Sequence, residues 1–485
     1  MDADVVIVGA GPAGLMLACE LRRWGVATVV LESRPERDTR LRAQGITRLA
    51  AQALDRHGLL ERVTAAPPAP DLPPAGERLP AVLPGVAQQV VEKALEEQAL
   101  RLGVVLLRGT EVSGVRAGAD QVVVATSATG RAGVTGRYLV GCDGSHSVVR
   151  RAAGFRTDGT TPRITGYQAL VTVEAPATRT LPPGTHRTGT GMVTWRPGPC
   201  RVVSIEFVPP PDRDGEVTLG EVEASVRRTT GMALTLTAPR SLARFTDATR
   251  LAGTYRLGRV LLAGDAAHVH PPNGGQGLNL ALTDAVNLGW KLAATVLGWA
   301  PPGLLDTYEA ERRPVAAKVI RNALADMTLI DPDERITPAY EFYRELKNSP
   351  AIRPLLFDLV SMTHLAYDVG ADPEKSHPLL GRTVGDLTVR SGDDAVRLAV
   401  CQRTGRGLLL DLTDRPDLRA VAAPWADRLT VLGDVRADRV SGAAALLVRP
   451  DGCVAWVQPA DGPPQPASLD TALRTWFGEP AGAVR

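Results

Sequence analysis

The tightest constraint on the fold lies at the start of the chain. The apolar run Val5-Val6-Ile7-Val8 leads directly into Gly9-Ala10-Gly11-Pro12-Ala13-Gly14, and Glu32 follows 18 residues after Gly14. Four consecutive apolar residues fit a strand buried on both faces, as in a parallel sheet. The GxGxxG spacing fits a turn from that strand into a helix, expected over Pro12 to Trp24, with Leu17, Ala18 and Leu21 at helical spacing and Gly25 ending it. Val26 to Leu31 then read as a second strand closed by Glu32. In this context the glycines permit a tight turn, close approach of a pyrophosphate and close helix–strand packing. The helix start favours negative charge, and an acidic residue at the position of Glu32 accepts hydrogen bonds from ribose hydroxyls. The pattern predicts a dinucleotide site without separating FAD from NAD.

The rest of the chain divides by composition. Residues 47 to 63 read as helix. The stretch 65 to 85 contains seven prolines among its 21 residues, which marks a loop or an excursion between units. Helix resumes at about Gln89 to Leu102, followed by strands. Between about 160 and 250 short β-rich runs such as Tyr167 to Val173 and Arg201 to Phe207 predict a separate sheet. Arg259 to Ala263 form another buried strand, leading into a Gly/Pro/Asn loop and a long helix, and residues 305 to 365 read as helical. From Ser376 onward come strands at Gly407 to Leu412, Arg428 to Leu432, Ala443 to Arg449 and Val454 to Val457, then a closing helix from about Ser468 to Phe477.

Composition excludes several classes. A net charge of +2 with 4% aromatic residues offers neither the basic surface nor the stacking platforms that nucleic acid requires. The most apolar helical stretch, Asn279 to Ala300, carries Asp284 and Lys291, and so reads as a core helix rather than a membrane span. Cys19, Cys142, Cys200, Cys401 and Cys453 are scattered with no CxxC pair. That pattern argues against a disulfide scaffold or a zinc site, and fits a reducing cytoplasm. No metal site is expected.

Two further motifs decide the cofactor. One runs from Tyr138 through Gly141-Cys142-Asp143-Gly144-Ser145-His146-Ser147 to Arg150. The other runs from Gly258 through Gly264-Asp265-Ala266-Ala267-His268-Val269-His270-Pro271-Pro272-Asn273-Gly274-Gly275-Gln276-Gly277-Leu278 to Asn279. In the latter a carboxylate at a strand end, Asp265, can bind a polyol chain or cap a helix. The glycine-rich loop can lie against a planar ring. The helix beginning near Leu278 places its positive end at that ring. Together with the N-terminal turn, these motifs resemble the class A FAD-dependent aromatic monooxygenases, and within them the aromatic polyketide hydroxylases of the angucycline and anthracycline type. The resemblance runs over essentially the whole chain.

The resemblance implies a mixed α/β and α+β architecture in three parts. A Rossmann-like FAD-binding domain of the GR2/PHBH-like kind would take residues 1–65, 88–160 and 250–325. A β-sheet substrate domain would take 66–87 and 161–249. A helical connection, 326–375, would lead to a thioredoxin-like C-terminal domain, 376–485, without CxxC. Gly9, Gly11, Pro12, Ala13, Gly14 and Glu32 would hold the ADP half of FAD. Arg42 matches an arginine near the phosphates, Gln88 a glutamine or arginine that contacts FAD, and Val112 a residue whose backbone meets adenine. Asp265, Pro272, Gly275, Gly277, Leu278 and Asn279 would surround the ribityl chain and flavin. Asp143 carries either a nicotinamide-linked role or a cap on the helix starting near Ser147. Ser33 stands where the family usually has arginine, which leaves the adenine cover either to Arg34 or absent.

The implied reaction is reduction of FAD by transiently bound NADPH (or NADH), formation of a flavin C4a-hydroperoxide from O2, and transfer of oxygen to a polycyclic aromatic substrate. Met192 and Trp195 are candidate substrate-lining residues. His268 and His270 read as loop-packing residues before catalytic ones, and no catalytic acid or base is assigned. The same scaffold also accommodates Baeyer–Villiger insertion, oxidative inactivation of an antibiotic, or flavin binding without turnover. A monomer or homodimer without membrane or nucleic-acid partners is expected.

Overall fold

The computed structural model describes residues 2–40, 42–66, 82–127, 133–174, 181–196, 198–211, 215–272, 275–361, 365–370, 377–384, 387–391, 394–437 and 440–481. Asp2–Val8 is the central strand of an eight-stranded sheet, with Val5 to Val8 at most 6% exposed. It is flanked in parallel by Thr28–Glu32 on one side and Val134–Gly141 on the other. Val105–Arg108 and Val260–Leu262 extend the parallel run outward. A run of buried β-branched and Leu side chains suits strands covered on both faces. One cover is the helix Pro12–Arg23, packed against Gln88–Arg101 and against the long helix Gln276–Leu297.

The second sheet has five antiparallel strands in the order Gly184–Arg187, Gly191–Trp195, Gly198–Glu206, Thr165–Val173 and Leu236–Phe245. Strand alternation gives it two different faces. Tyr167, Ala169, Val171, Val193, Trp195 and Val202 pack with Val222 and Val226 of the helix Leu219–Thr230. Gly166, Gln168, Ala243 and Phe245 occupy the opposite face. That helix lies within a stretch read as sheet. Its start was nonetheless written locally, as a capping box between Thr218 and Glu221.

Other boundaries differ from expectation for local reasons. The helix read over 47 to 63 is two, Arg48–Arg56 and Leu60–Thr64, parted at Gly58 with φ +69°. The helical stretch 305 to 365 is three helices, Thr307–Leu329, Thr337–Asn348 and Arg353–Ser361. Val82–Pro84 pairs with Gly45–Thr47 and not with the five-stranded sheet, while residues 67–81 lie outside the described residues.

The C-terminal unit is a parallel βαβ, Gly407–Asp411, Pro416–Ala422 and Leu429–Leu432, followed by the antiparallel strands Ala443–Val448 and Val454–Pro459 and the helix Pro466–Phe477. This is the thioredoxin-like arrangement. All five cysteines are free.

A fully buried charge network joins this unit to the first. Arg449 donates to both Glu311 oxygens at 2.7 and 2.8 Å, and Lys291 donates to the same carboxylate at 2.8 Å. Trp476 covers the Arg449 guanidinium at 4.4 Å. Burial pushes the Lys291 ammonium down to about 8, with Glu311 limiting the fall. Burial also pushes the Glu311 carboxyl up, but Arg449 and Lys291 outweigh it and hold the group well below the usual carboxylate range. Glu311 is supplied to this network by the helical stretch read over 305 to 365.

Candidate active site

The parallel strands all end on one side of the first sheet, and each delivers a motif there. Val8 passes into Gly9, Thr28–Glu32 ends on its carboxylate, Gly141 passes into Cys142-Asp143, and Leu262 leads to Gly264-Asp265. Carboxyl ends of parallel strands are where open α/β sheets bind ligands. A cavity of about 800 Å³ runs along them. One end is walled by Gly9, Gly11, Pro12, Ala13, Glu32, Arg42, Gln88, Val112 and Asp143. The other is walled by Asp265, His270, Pro272, Gly275, Gly277 and Leu278, and opposite them stand Gln168, Arg201, Ala243 and Phe245 of the five-stranded sheet.

The two glycine turns differ in how they are built. A Cβ on Gly14 would lie 1.9 Å from the Gly9 carbonyl oxygen, so Gly14 is buried packing and not cavity wall. Gly11 has nothing within 4 Å of its missing Cβ, which leaves the backbone open to a ligand. Gly275 sits at φ +63°, a left-handed conformation that favours glycine, and starts the helix Gln276–Leu297 with no capping side chain. The positive end of that helix therefore faces the cavity. Asn279 lies behind it. Its amide donates to the Gly275 carbonyl at 3.0 Å and accepts from the Thr47 N–H at 2.7 Å, which ties two walls together.

The side chains add polarity. Glu32 accepts from the Ala10 N–H at 2.7 Å and from the Arg34 N–H at 2.9 Å, and a carboxylate keeps further lone pairs for another donor. Arg42 pairs with Asp38 at 3.0 Å. Burial would raise Asp38, yet hydrogen bonds from Arg40 and Arg42 hold it far below the usual range. Gln88 donates to Glu92 at 2.7 Å. Asp143 accepts from the Val148 and Val149 N–H groups at 2.6 and 3.0 Å, and thereby caps the short helix Val148–Ala152.

His268 is 1% exposed and pairs with Asp284 at 2.6 Å. Asp284 also accepts from Arg312 at 2.8 Å and from the Gly264 N–H at 3.1 Å, so this cluster fixes the turn before Asp265 from behind. His270 is on the cavity wall. Its Nδ1 lies 2.7 Å from the Pro271 carbonyl, which can only accept, so Nδ1 carries the hydrogen and Nε2 is left as an acceptor. Burial lowers the pKa of this ring, with the Pro271 carbonyl partly offsetting it.

The structure does not bring Trp195 to the cavity. It is fully buried on the helix-covered face of its sheet. Met192, on the other face, packs with Ile164, Ile205 and Met327 beside Phe245 and stops short of the wall. Sequence reading missed Gln168, Arg201, Ala243 and Phe245. The alternation of Thr165–Val173 marks two faces, but only the packed fold shows which one meets the cavity. Among the described residues no His/Cys/Asp/Glu cluster could hold a metal ion.

Comparison with known proteins decides the family. Residues 2–323 match the FAD binding domain model, and residues 377–480 match the aromatic-ring hydroxylase C-terminal model. A 12-dehydrotetracycline 5-monooxygenase/anhydrotetracycline 6-monooxygenase of Streptomyces rimosus is 41% identical over 99% of this chain and 100% of its own length. The chain is a flavin-dependent aromatic monooxygenase. Among solved structures, the OxyS anhydrotetracycline hydroxylase from Streptomyces rimosus superposes with a TM-score of 0.89 at 39% identity, covering 99% of this chain and 100% of that one. CabE, an aromatic hydroxylase from angucycline biosynthesis, does so at 0.87 and 36%, with the same coverage.

The monooxygenase uses FAD and NAD(P)H, and its cavity fits the flavin dinucleotide. The backbone is open at Gly11 and at Gly275, the two places where a pyrophosphate and a planar ring need close approach, and no side-chain cap occupies either helix start. No helix among the described residues is long and apolar enough to cross a membrane.

Proposed function

We propose that this monooxygenase hydroxylates a polycyclic aromatic polyketide bound between the Gly275–Leu278 helix start and the sheet face bearing Gln168, Ala243 and Phe245. The observation that carries this reading is the single continuous cavity joining the glycine turn, the second glycine loop and that sheet face. The relatives' names, tetracycline-type and angucycline hydroxylases, support the substrate class.

FAD, when bound, supplies the redox chemistry that draws electrons from NAD(P)H and activates O2. The chain's own residues bind and orient. Gly9, Gly11, Pro12 and Ala13 receive the pyrophosphate and Glu32 the ribose, Gly14 holding the turn from beneath. Arg42, Gln88 and Val112 line the dinucleotide end. Asp265 faces the polyol chain, and Pro272, Gly275, Gly277 and Leu278 meet the ring, braced by Asn279. The helix start at Gly275 stabilises negative charge on a ring placed there. Asp143 acts through the loop it caps. His270 Nε2 is an acceptor on the wall that can take a phenolic proton. Phe245 and Ala243 on the sheet face help exclude water from the reacting centre. Five free cysteines fit a cytoplasmic enzyme, monomeric or homodimeric.

Purified yellow protein incubated with NADPH and a panel of polycyclic phenols and quinones tests the reading. The expected result is substrate-stimulated NADPH oxidation and a product heavier by one oxygen that does not open in base. A base-labile lactone would reassign the reaction to Baeyer–Villiger insertion. NADPH oxidation unmoved by every member of the panel would sink the substrate class.

A further inference from the structure

Gly166 and Phe245 are directly paired across neighbouring antiparallel strands. A Cβ on Gly166 would lie 2.2, 2.3 and 2.7 Å from three atoms of the Phe245 ring, Cε2, Cζ and Cδ2. The ring therefore lies flat over the glycine, in space that any other residue would fill. Gly166 has no left-handed φ, so conformational freedom does not require glycine here. Room for the ring does. Phe245 lines the cavity, and Ile164, Ile205 and Met327 back it from within the protein. The next pair along the same face is Gln168 with Ala243, and the next after that brings Arg201 opposite Leu170. Phe245, Ala243, Gln168 and Arg201 all reach the cavity. From Gly166 to Leu170 the strand advances about 13 Å. The wall is thus a long strip with an aromatic face at one end, a small residue in the middle and a guanidinium at the other.

We propose that the Gly166–Phe245 notch determines substrate shape in this enzyme: it keeps the Phe245 ring flat against the sheet, so that an extended, planar fused-ring substrate stacks on it and lies along the strip toward Arg201. The proposal rests on the reading of the enzyme as a polycyclic aromatic hydroxylase. Phe245 contacts substrate directly, and Gly166 is a positioning residue that acts through it. A methyl group at 166 forces the ring off the sheet, and the open side is the cavity. Extended substrates then lose both length and stacking surface, whereas short ones keep enough room.

The test uses FAD-loaded enzyme and two probes, a hydroxylated naphthacenequinone with four fused rings and a dihydroxynaphthalene with two. Binding is read from the perturbation of the flavin absorbance, and turnover from KM and kcat of NADPH oxidation. Gly166→Ala is expected to weaken the tetracyclic probe by about tenfold or more while leaving the bicyclic probe and the FAD Kd within about threefold. Phe245→Ala is expected to cost the tetracyclic probe about three- to tenfold through lost ring stacking. In the Gly166→Ala/Phe245→Ala double variant the added methyl has no ring to displace, so the tetracyclic affinity should match that of Phe245→Ala alone. If Gly166→Ala does not fold, Phe245→Trp enlarges the same ring and should show the same contrast between probes. Equal weakening of both probes, or a double variant clearly weaker for the tetracyclic probe than Phe245→Ala alone, overturns the proposal. A wild-type enzyme that responds to neither probe overturns instead the reading beneath it, and the proposal with it.

Discussion

The cofactor cradle and the seam to the C-terminal unit are both rich in buried polar groups, yet they are built in opposite ways. The cradle is mostly backbone. Gly11 and Gly275 leave peptide surface open, and Glu32 keeps acceptor capacity beyond its bonds to Ala10 and Arg34. The seam is mostly side chains, and its charges answer one another: Glu311 receives Arg449 and Lys291, and Asp451 receives Arg449 as well. A cradle with open donors and acceptors is completed by a ligand. A seam with closed ion pairs is complete already, and its cost appears only when one partner is removed.

Mutating each region should separate these roles. The largest effect is expected at the seam. Arg449→Met leaves the Glu311 and Asp451 carboxylates buried without their main partner and should lower unfolding free energy by about 3–5 kcal/mol in urea titration. FAD affinity should hold within about threefold, and a large loss of FAD affinity with stability intact would erase the distinction. At the cradle, Gly14→Ala drives a methyl into the Gly9 carbonyl. It should weaken FAD by about a hundredfold in a fluorescence titration, an overpacking cost near 3 kcal/mol. Unchanged affinity would mean that the turn is not the pyrophosphate site. Glu32→Gln should be milder, about tenfold in FAD Kd, the lower end for a charge-assisted hydrogen bond, with little change in stability.

The smallest effect is in the pH dependence of stability. Glu311 and Asp284 are both held below their ordinary values in the folded state. For Asp284, burial is outweighed by His268 and Arg312. Their contribution is fully present above the unfolded carboxylate range and is lost as pH falls through and below about 4.5. Lys291 has the opposite profile. Its folded value of about 8 lies below the ordinary 10.5, so the unfolded chain binds more protons between them and stability should rise with pH across that window. Urea midpoints of the holoenzyme from pH 2 to 10 check both slopes, and Lys291→Met should remove the alkaline rise.

The two regions also differed in how readily they could be read. Gly9, Gly11 and Glu32 were legible as cavity wall because a tight turn that leaves its backbone open demands particular residues at fixed local spacing. The loop after Asp265 was legible for the same reason. Arg449 and Glu311 were not, because they lie 138 residues apart and nothing near either names the other. Asn279 was placed with the flavin contacts, whereas it braces the loop from behind. Gly14 was placed with the contacts to the ADP half, whereas it packs against the Gly9 carbonyl away from the cavity wall. On the five-stranded sheet, alternation was readable but its polarity was not, so Trp195 was expected at the substrate and is found in the core.

What the sequence by itself determined is the cofactor class, the strand–turn–helix that opens the chain and the order of the main elements along it. Those depend on backbone conformations and short-range spacing, which residue identity controls directly. Tertiary structure alone decided which sheet face meets the flavin loop, that Phe245 lies across Gly166, and that Arg449 closes onto Glu311. Each of these is a contact between segments distant in the chain, and its free energy exists only once packing has brought both sides together and removed the water between them.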